Sequence, residues 1–115
     1  IPAVLADKDA WILKPLDSYA SRGVHAGVEH TQKEWEEIVL HTPEGYLLQE
    51  FYRPYVSENY GIGPDGKFGK NRYYNLTGIY VYDGVAQGVY SRVSLSPIIS
   101  SQYSEKTLPT LLVGE

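Results

Sequence analysis

Lys14 is the residue whose type and setting best fit a chemical role. It ends a short apolar stretch, and the segment after it carries small residues, Ser18, Ser21, Gly23 and Gly27. A lysine supplies a point charge for phosphate, and glycine lets backbone N–H groups approach the oxygens. The Walker A pattern GxxxxGK[ST] is absent. The segment predicts phosphate binding, with a solvated lysine beside a flexible turn as the alternative.

The other reactive side chains favour neither a metal site nor a hydrolase. His25, His30 and His41 lack the i, i+4 spacing of metal ligands on a helix. The chain contains no cysteine, which excludes disulfides and thiolate metal sites. The nucleophile elbow GxSxG is also missing. We therefore expect no metal ligands within this sequence.

Three short strands are predicted in the first half of the chain, around Lys14. Residues 11–14 are apolar and end at Pro15, which cannot donate to a strand ladder. Residues 24–28 give a second strand after the small-residue loop. Residues 46–52 (YLLQEFY) give a third.

One helix is predicted between the second and third strands. Thr31 and Glu34 have the spacing of a capping box, in which each side chain bonds the backbone N–H of the other residue. Trp35 and Ile38 then begin an apolar stripe at helical spacing. The helix should end near His41, before a proline and a glycine.

The second half of the chain contains a predicted β-hairpin. The β-rich runs 76–82 and 85–94 are joined by Asp83-Gly84, and both turn residues tolerate positive φ. In contrast, residues 55–75 are rich in Gly, Asn, Asp and Pro. That composition predicts a flexible loop.

Composition is that of a folded domain. The chain has 115 residues, of which 43% are hydrophobic and 21% charged, and this argues against disorder. No apolar run approaches the roughly 20 residues of a membrane-spanning helix. The net charge of −4 argues against binding nucleic acid through its phosphates. We divide the chain into a small subdomain at 1–54, the flexible loop at 55–75, and a hairpin subdomain with its tail at 76–115.

The order of these features resembles a known nucleotide cleft. The run WILKPLDSYASRGVHAG precedes the capped helix and then the strand YLLQEF. This order is similar to ATP-grasp ligases of the circularly permuted, glutathionylspermidine-synthase-like family, over about residues 1–101. There, a strand lysine precedes a small-residue loop ending in Gly-Val, a helix, and a strand ending in Gln-Glu. Lys14, Gly23, Gln49 and Glu50 occupy those positions here.

The resemblance implies a role for each of these residues. Lys14 would contact the α- and β-phosphates of ATP, and the loop with Ser21 and Gly23 would fold over the triphosphate. Gln49 and Glu50 would face the adenine and ribose at a hinge between subdomains. Taken without the family, Gln49 equally suits an amide at the edge of a core, and Glu50 a surface carboxylate.

Arg92, on the second hairpin strand, is the catalytic residue that the resemblance implies. It would stabilise the negative charge that develops on the acyl-phosphate and the tetrahedral intermediate. The alternative is a strand arginine in a surface ion pair. The family also uses Mg²⁺, with ligands upstream of the lysine strand, where this sequence offers only Asp7 and Asp9. We therefore expect the Mg²⁺ ligands to lie outside this fragment.

Two functions follow as expectations. The resemblance implies an α+β, ATP-grasp-like fragment, with a small α/β subdomain containing one main helix and an antiparallel hairpin unit. It would be the ATP-binding portion of a cytoplasmic ligase that joins amine and carboxylate substrates through an acyl-phosphate, and inactive alone. The sequence begins Ile1-Pro2 and has no methionine, which is typical of a fragment. The alternative is a non-enzymatic α+β binding or assembly module, in which a sheet rich in the eleven tyrosines docks a partner.

Overall fold

The structure is a computed structural model that describes residues 1–100 and 105–111. The chain is α+β, with two antiparallel sheets and few helices in the described ranges. It divides into two compact units, Ile1–Arg53 and Pro54–Glu115. No helix in the described ranges is long and apolar enough to cross a membrane.

The first unit packs two helices against a three-stranded sheet. The strand order is β2-β1-β3, and the central strand β1 is antiparallel to both neighbours. The elements are helices α1 (Pro2–Ala6) and α2 (Gln32–His41) and strands β1 (Trp11–Pro15), β2 (His25–Ala26) and β3 (Tyr46–Glu50).

The core of this unit lies between the helices and one face of the sheet. Leu13 of β1 is buried together with Val4 of α1 and Trp35 of α2. The indole Nε1 of Trp35 donates a hydrogen bond to the carbonyl oxygen of Val4 at 3.0 Å, so its one polar atom is satisfied. Side chains alternate along a strand, and Ile12 and Lys14 therefore point to the opposite face.

Two predicted strands of this unit are shorter than expected. Of the strand predicted at 24–28, only His25–Ala26 (β2) forms, because residues Gly27–Glu29 form a 3₁₀ helix. A Cβ atom on Gly27 would lie 1.9 Å from the carbonyl oxygen of Lys8, so the two backbones pack directly together. The strand at 46–52 ends at Glu50.

The helix prediction is confirmed at both ends. Helix α2 begins after Thr31, whose hydroxyl accepts from the N–H of Glu34 at 3.3 Å. The Glu34 carboxylate accepts from the N–H of Thr31 at 2.8 Å. This bond, together with one of 2.8 Å that the Thr31 hydroxyl donates to the same carboxylate, lowers the pKa of Glu34. The sequence pattern did not predict α1, which has Pro2 in its first turn, where proline lacks only an N–H that would be unpaired.

The second unit is a four-stranded antiparallel sheet in the order β4-β5-β6-β7. The predicted hairpin is present, and its turn residues Asp83 and Gly84 have φ of 50° and 74°. The buried apolar side chains of this unit include Tyr73, Val93 and Ile98. The strands are β4 (Val56–Ile62), β5 (Phe68–Tyr82), β6 (Val85–Ser94) and β7 (Lys106–Leu108).

The prediction of a loop at 55–75 is wrong. This segment contains β4 and the first half of β5, which pair with each other. Its glycines and asparagines contact neighbouring residues of the sheet. A Cβ on Gly61 would lie 2.4 Å from the hydroxyl of Tyr73, whose side chain crosses that position. Asn71 donates from its side chain to the carbonyl oxygens of Gly61 and Gly69.

Replacing Thr31 with alanine removes the helix cap and should lower the free energy of unfolding of the first unit by about 1 kcal/mol. Both tryptophans, Trp11 and Trp35, lie in this unit, so urea unfolding followed by tryptophan fluorescence reports on it. Lys33→Ala, at an exposed position in the same helical turn, is the matched control. It should change stability by less than about 0.5 kcal/mol. Equal effects of the two substitutions would contradict a stabilising cap.

Candidate nucleotide-binding site

Lys14 and Gln49 meet on the face of the first sheet that points away from the helices. In the ladder, Lys14 is opposite Leu47 and Gln49 is opposite Ile12, so the two residues are diagonal neighbours on one face. The Lys14 ammonium donates to Gln49 Oε1 at 2.9 Å. The structure therefore brings together two of the predicted site residues that are 35 positions apart.

The loop after β1 folds back against the ends of two strands. Ala20, Ser21 and Gly23 all have positive φ, of 51°, 59° and 70°. A Cβ on Gly23 would lie 3.0 Å from the hydroxyl of Tyr46 and 3.6 Å from Cγ of Pro15. The left-handed backbone and this close approach both favour glycine at position 23. Ser21 and Gly23 thus lie in a turn beside the end of the strand that carries Lys14.

Glu50 lies on the other face of β3 from Gln49, because the two residues are adjacent in a strand. Its carboxylate accepts a hydrogen bond of 3.3 Å from the hydroxyl of Tyr52. Ala10, Glu50, Phe51 and Tyr52 line a shallow pocket of about 200 Å³. The N–H of Phe51 donates to the carbonyl oxygen of Ala10 at 2.8 Å and joins the two walls of this pocket.

Arg92 belongs to the second unit and forms an ion pair there. Its guanidinium lies 3.2 Å from a carboxylate oxygen of Glu105, whose side chain is 11% exposed. The guanidinium carbon also lies 5.0 Å from the centre of the Tyr90 ring, a cation–π distance. The ion pair that was the alternative for Arg92 is therefore present, and one carboxylate and one aromatic ring fix the orientation of the guanidinium.

The sequence analysis missed a charged cluster beside the pocket. The Asp9 carboxylate binds the ammonium of Lys8 and the guanidinium of Arg53, the latter at 3.0 Å. The hydrogen bond from Lys8, followed by the charges of Lys8 and Arg53, lowers the pKa of Asp9. Lys8 also donates to the carbonyl oxygen of Gly27 at 3.0 Å. Arg53 is 44 residues from Asp9, so no local pattern could have indicated the pairing.

A histidine pair lies next to the strand that carries Lys14. His25 is opposite Leu13 in the ladder, and its ring centre is 5.5 Å from that of His30. The ring of His30 stacks on Trp35. Burial lowers the pKa of His25, the charge of His30 lowers it further, and the charge of Glu29 opposes the shift.

No group of three or more His, Cys, Asp or Glu side chains that could hold a metal ion occurs among residues 1–100 and 105–111. Comparison with protein-family models, with curated proteins and with solved structures found no match to this chain.

Lowering the pH should destabilise the first unit through His25. The pKa of His25 in the folded chain lies below the ordinary value of 6.5, so the unfolded chain binds this proton more tightly. Its contribution to stability is complete above pH 6.5 and is lost as the pH falls below that value. We expect His25→Gln to flatten the dependence of the free energy of unfolding on pH between about 7 and 5. The same pH dependence in His25→Gln and in the wild type would contradict this prediction.

Proposed function

We propose that this chain is the ATP-binding portion of a carboxylate–amine ligase that acts through an acyl-phosphate. The observation that carries the proposal is the 2.9 Å hydrogen bond between Lys14 and Gln49, next to a turn that contains Ser21 and Gly23. The resemblance of the sequence to ATP-grasp ligases assigns these four residues to the nucleotide. The direct contact between Lys14 and Gln49 supports that assignment for these two residues, and the turn with Gly23 lies beside Pro15, the residue after Lys14. Use of ATP favours a cytoplasmic location.

Lys14 supplies the charge that holds the triphosphate. An ammonium has three N–H donors, so it can keep its bond to Gln49 and donate to phosphate oxygens with the others. The Gln49 amide restricts the ammonium to one direction, which reduces the entropy lost on binding. The Ser21 hydroxyl and the backbone N–H of Gly23 add neutral donors from the turn.

Glu50 and the shallow pocket suit the nucleoside. The pocket has aromatic walls, Phe51 and Tyr52, which can pack against a planar adenine. Glu50 is an acceptor for the hydroxyl groups of a ribose. Gln49, on the opposite face of β3, serves the phosphate side through Lys14. The expectation that Gln49 and Glu50 both face adenine and ribose does not hold, because adjacent residues of β3 point to opposite faces of the sheet.

The proposed reaction has two steps. A carboxylate oxygen of the substrate attacks the γ-phosphorus of ATP and ADP leaves; the amine then attacks the acyl carbon, and phosphate leaves. The resemblance implies Arg92 as the donor to the negative charge that develops in these steps, and Arg92 lies in the second unit. Mg²⁺ would be needed for such chemistry, but the described residues offer no fitting cluster, so no step is assigned to it.

A second candidate function is a binding or assembly module. It is favoured by the exposure of aromatic side chains on the second sheet. Tyr80 is 58% exposed and Tyr82 is 77% exposed, next to Ile79 and Val81 at 62% each. Side chains of this kind are enriched at protein interfaces.

The ATP proposal predicts weak binding that depends on Lys14. We expect the chain to bind ATP with a dissociation constant of roughly 0.1–1 mM, measured by titration calorimetry, because one ammonium and a few neutral donors carry it. Lys14→Ala removes a charge-assisted hydrogen bond worth about 1.5–3 kcal/mol and should weaken binding by at least about tenfold.

Two matched variants control this experiment. Lys33→Ala removes a lysine charge from the exposed surface of α2 and should leave the affinity for ATP unchanged. Arg92→Ala should also leave it unchanged, since its proposed role is confined to the transition state. Submicromolar binding that survives Lys14→Ala would refute the assignment.

A further inference from the structure

The β5–β6 hairpin extends beyond both neighbouring strands. The β4 ladder on β5 stops at Tyr74, and the β7 ladder on β6 covers only Ser91–Val93. Within the described residues, the stretches 76–82 of β5 and 85–90 of β6 therefore pair only with each other. We name the outer sides of these stretches the β5 edge (76–82) and the β6 edge (85–90). Each presents unpaired backbone N–H and C=O groups.

The β5 edge lacks the features that normally prevent a strand from pairing with another chain. Its sequence, LTGIYVY, has no charged residue and no proline. Ile79, Tyr80, Val81 and Tyr82 are 58–77% exposed, so apolar side chains project on both faces. Five of its seven residues have high strand propensity, and Gly78 is the main exception.

The β6 edge is better protected. The ladder pairs Tyr80 with Gly88 and Val81 with Ala86, so Gln87 is an extra residue and forms a bulge on β6. A bulge bends its own strand and disturbs the pattern of backbone groups on that side. The Thr110 hydroxyl also donates to the Ser91 hydroxyl at 2.9 Å, beside the last residue of this edge. The β5 edge has no extra residue and stays regular.

The charges of the second unit favour a copy of the same chain as the partner. Basic and acidic residues balance, and the whole net charge of −4 belongs to the first unit. Two copies of a neutral unit approach without net repulsion. The balance is between five basic residues, Lys67, Lys70, Arg72, Arg92 and Lys106, and five acidic residues, Glu58, Asp65, Asp83, Glu105 and Glu115.

We propose that two copies of this chain associate through their β5 edges, which pair antiparallel across a two-fold axis near Ile79. Such pairing is self-complementary, because each edge offers the same backbone groups to the other. Leu76 then lies opposite Tyr82 of the other copy, and Thr77 opposite Val81, so each face of one sheet continues into the same face of the other. The product is one continuous sheet with six strands side by side at the interface, in the order β7-β6-β5-β5-β6-β7, and each β4 stays beside the first half of its own β5. This inference deepens the second candidate function by naming its partner, and it is independent of ATP binding.

Sedimentation velocity on the whole chain tests the association. From about 1 to 200 µM the wild type should shift from monomer towards dimer. Val81→Lys places a charge on each paired edge and should weaken dimerisation by about tenfold or more. Ile62→Lys is the matched control, since Ile62 is 57% exposed on β4 and lies outside the β5 edge. It should dimerise like the wild type, and circular dichroism checks that both variants keep their strands.

A second measurement tests the geometry. The chain has no cysteine, so Ile79→Cys introduces a single thiol near the proposed axis. Mild oxidation should link two chains through Cβ atoms that directly opposed strands hold about 4.5–5.5 Å apart. Ile62→Cys should remain unlinked. A chain that is monomeric throughout, a dimer indifferent to Val81→Lys, or growth beyond two copies would overturn the proposal. A monomer would leave both proposed functions standing, because neither requires two copies.

Discussion

The burial of Leu13 against Trp35 determines which way the side chains of β1 and β3 point. Helix α2 covers only one face of the sheet, and the indole is anchored by its bond to the carbonyl of Val4. Once Leu13 enters this core, the period of two along a strand places Lys14 on the opposite face. The antiparallel register then brings Gln49 next to it. The proposed phosphate site is therefore a consequence of how the core is packed.

The second unit depends on a different constraint, the crossing of tyrosine side chains over glycine. Tyr73 crosses Gly61, and a Cβ on Gly78 would lie 2.1 Å from the ring of Tyr90. Each tyrosine ring thus lies over a glycine. A residue with a side chain at the glycine position would clash with the ring. Burial is concentrated at the base of the sheet, where Tyr73 and Val93 lie, and the far end of the hairpin stays exposed. At that far end, the apolar side chains of the hairpin are exposed and its strand edges pair with no further strand among the described residues.

Local patterns predicted the elements whose stabilising contacts are local. The capping box of Thr31 and Glu34 spans four residues, and the Asp83-Gly84 turn needs only two, so both were visible in the sequence. The strands at 55–75 were missed because their glycines and asparagines serve partners on neighbouring strands. The same limit applies to Glu105, which pairs with Arg92 from a weakly patterned tail. The family resemblance placed Lys14 and Gln49 in one cleft, but their direct contact depends on strand register, which the sequence alone did not fix.

The partners of the two cations suit them to different tasks. The hydrogen-bond partner of Lys14 is a neutral amide, so its full charge remains available to attract phosphate. The partner of Arg92 is a carboxylate, which offsets much of the attraction that a distant anion would feel. The guanidinium nevertheless has five donors in a fixed plane, and Glu105 and the Tyr90 ring hold that plane still. Such a group can donate in a defined direction, but only to an anion that comes close to it. In the proposed ligase, Lys14 therefore suits nucleotide affinity, whereas Glu105 reduces the long-range attraction that Arg92 can add.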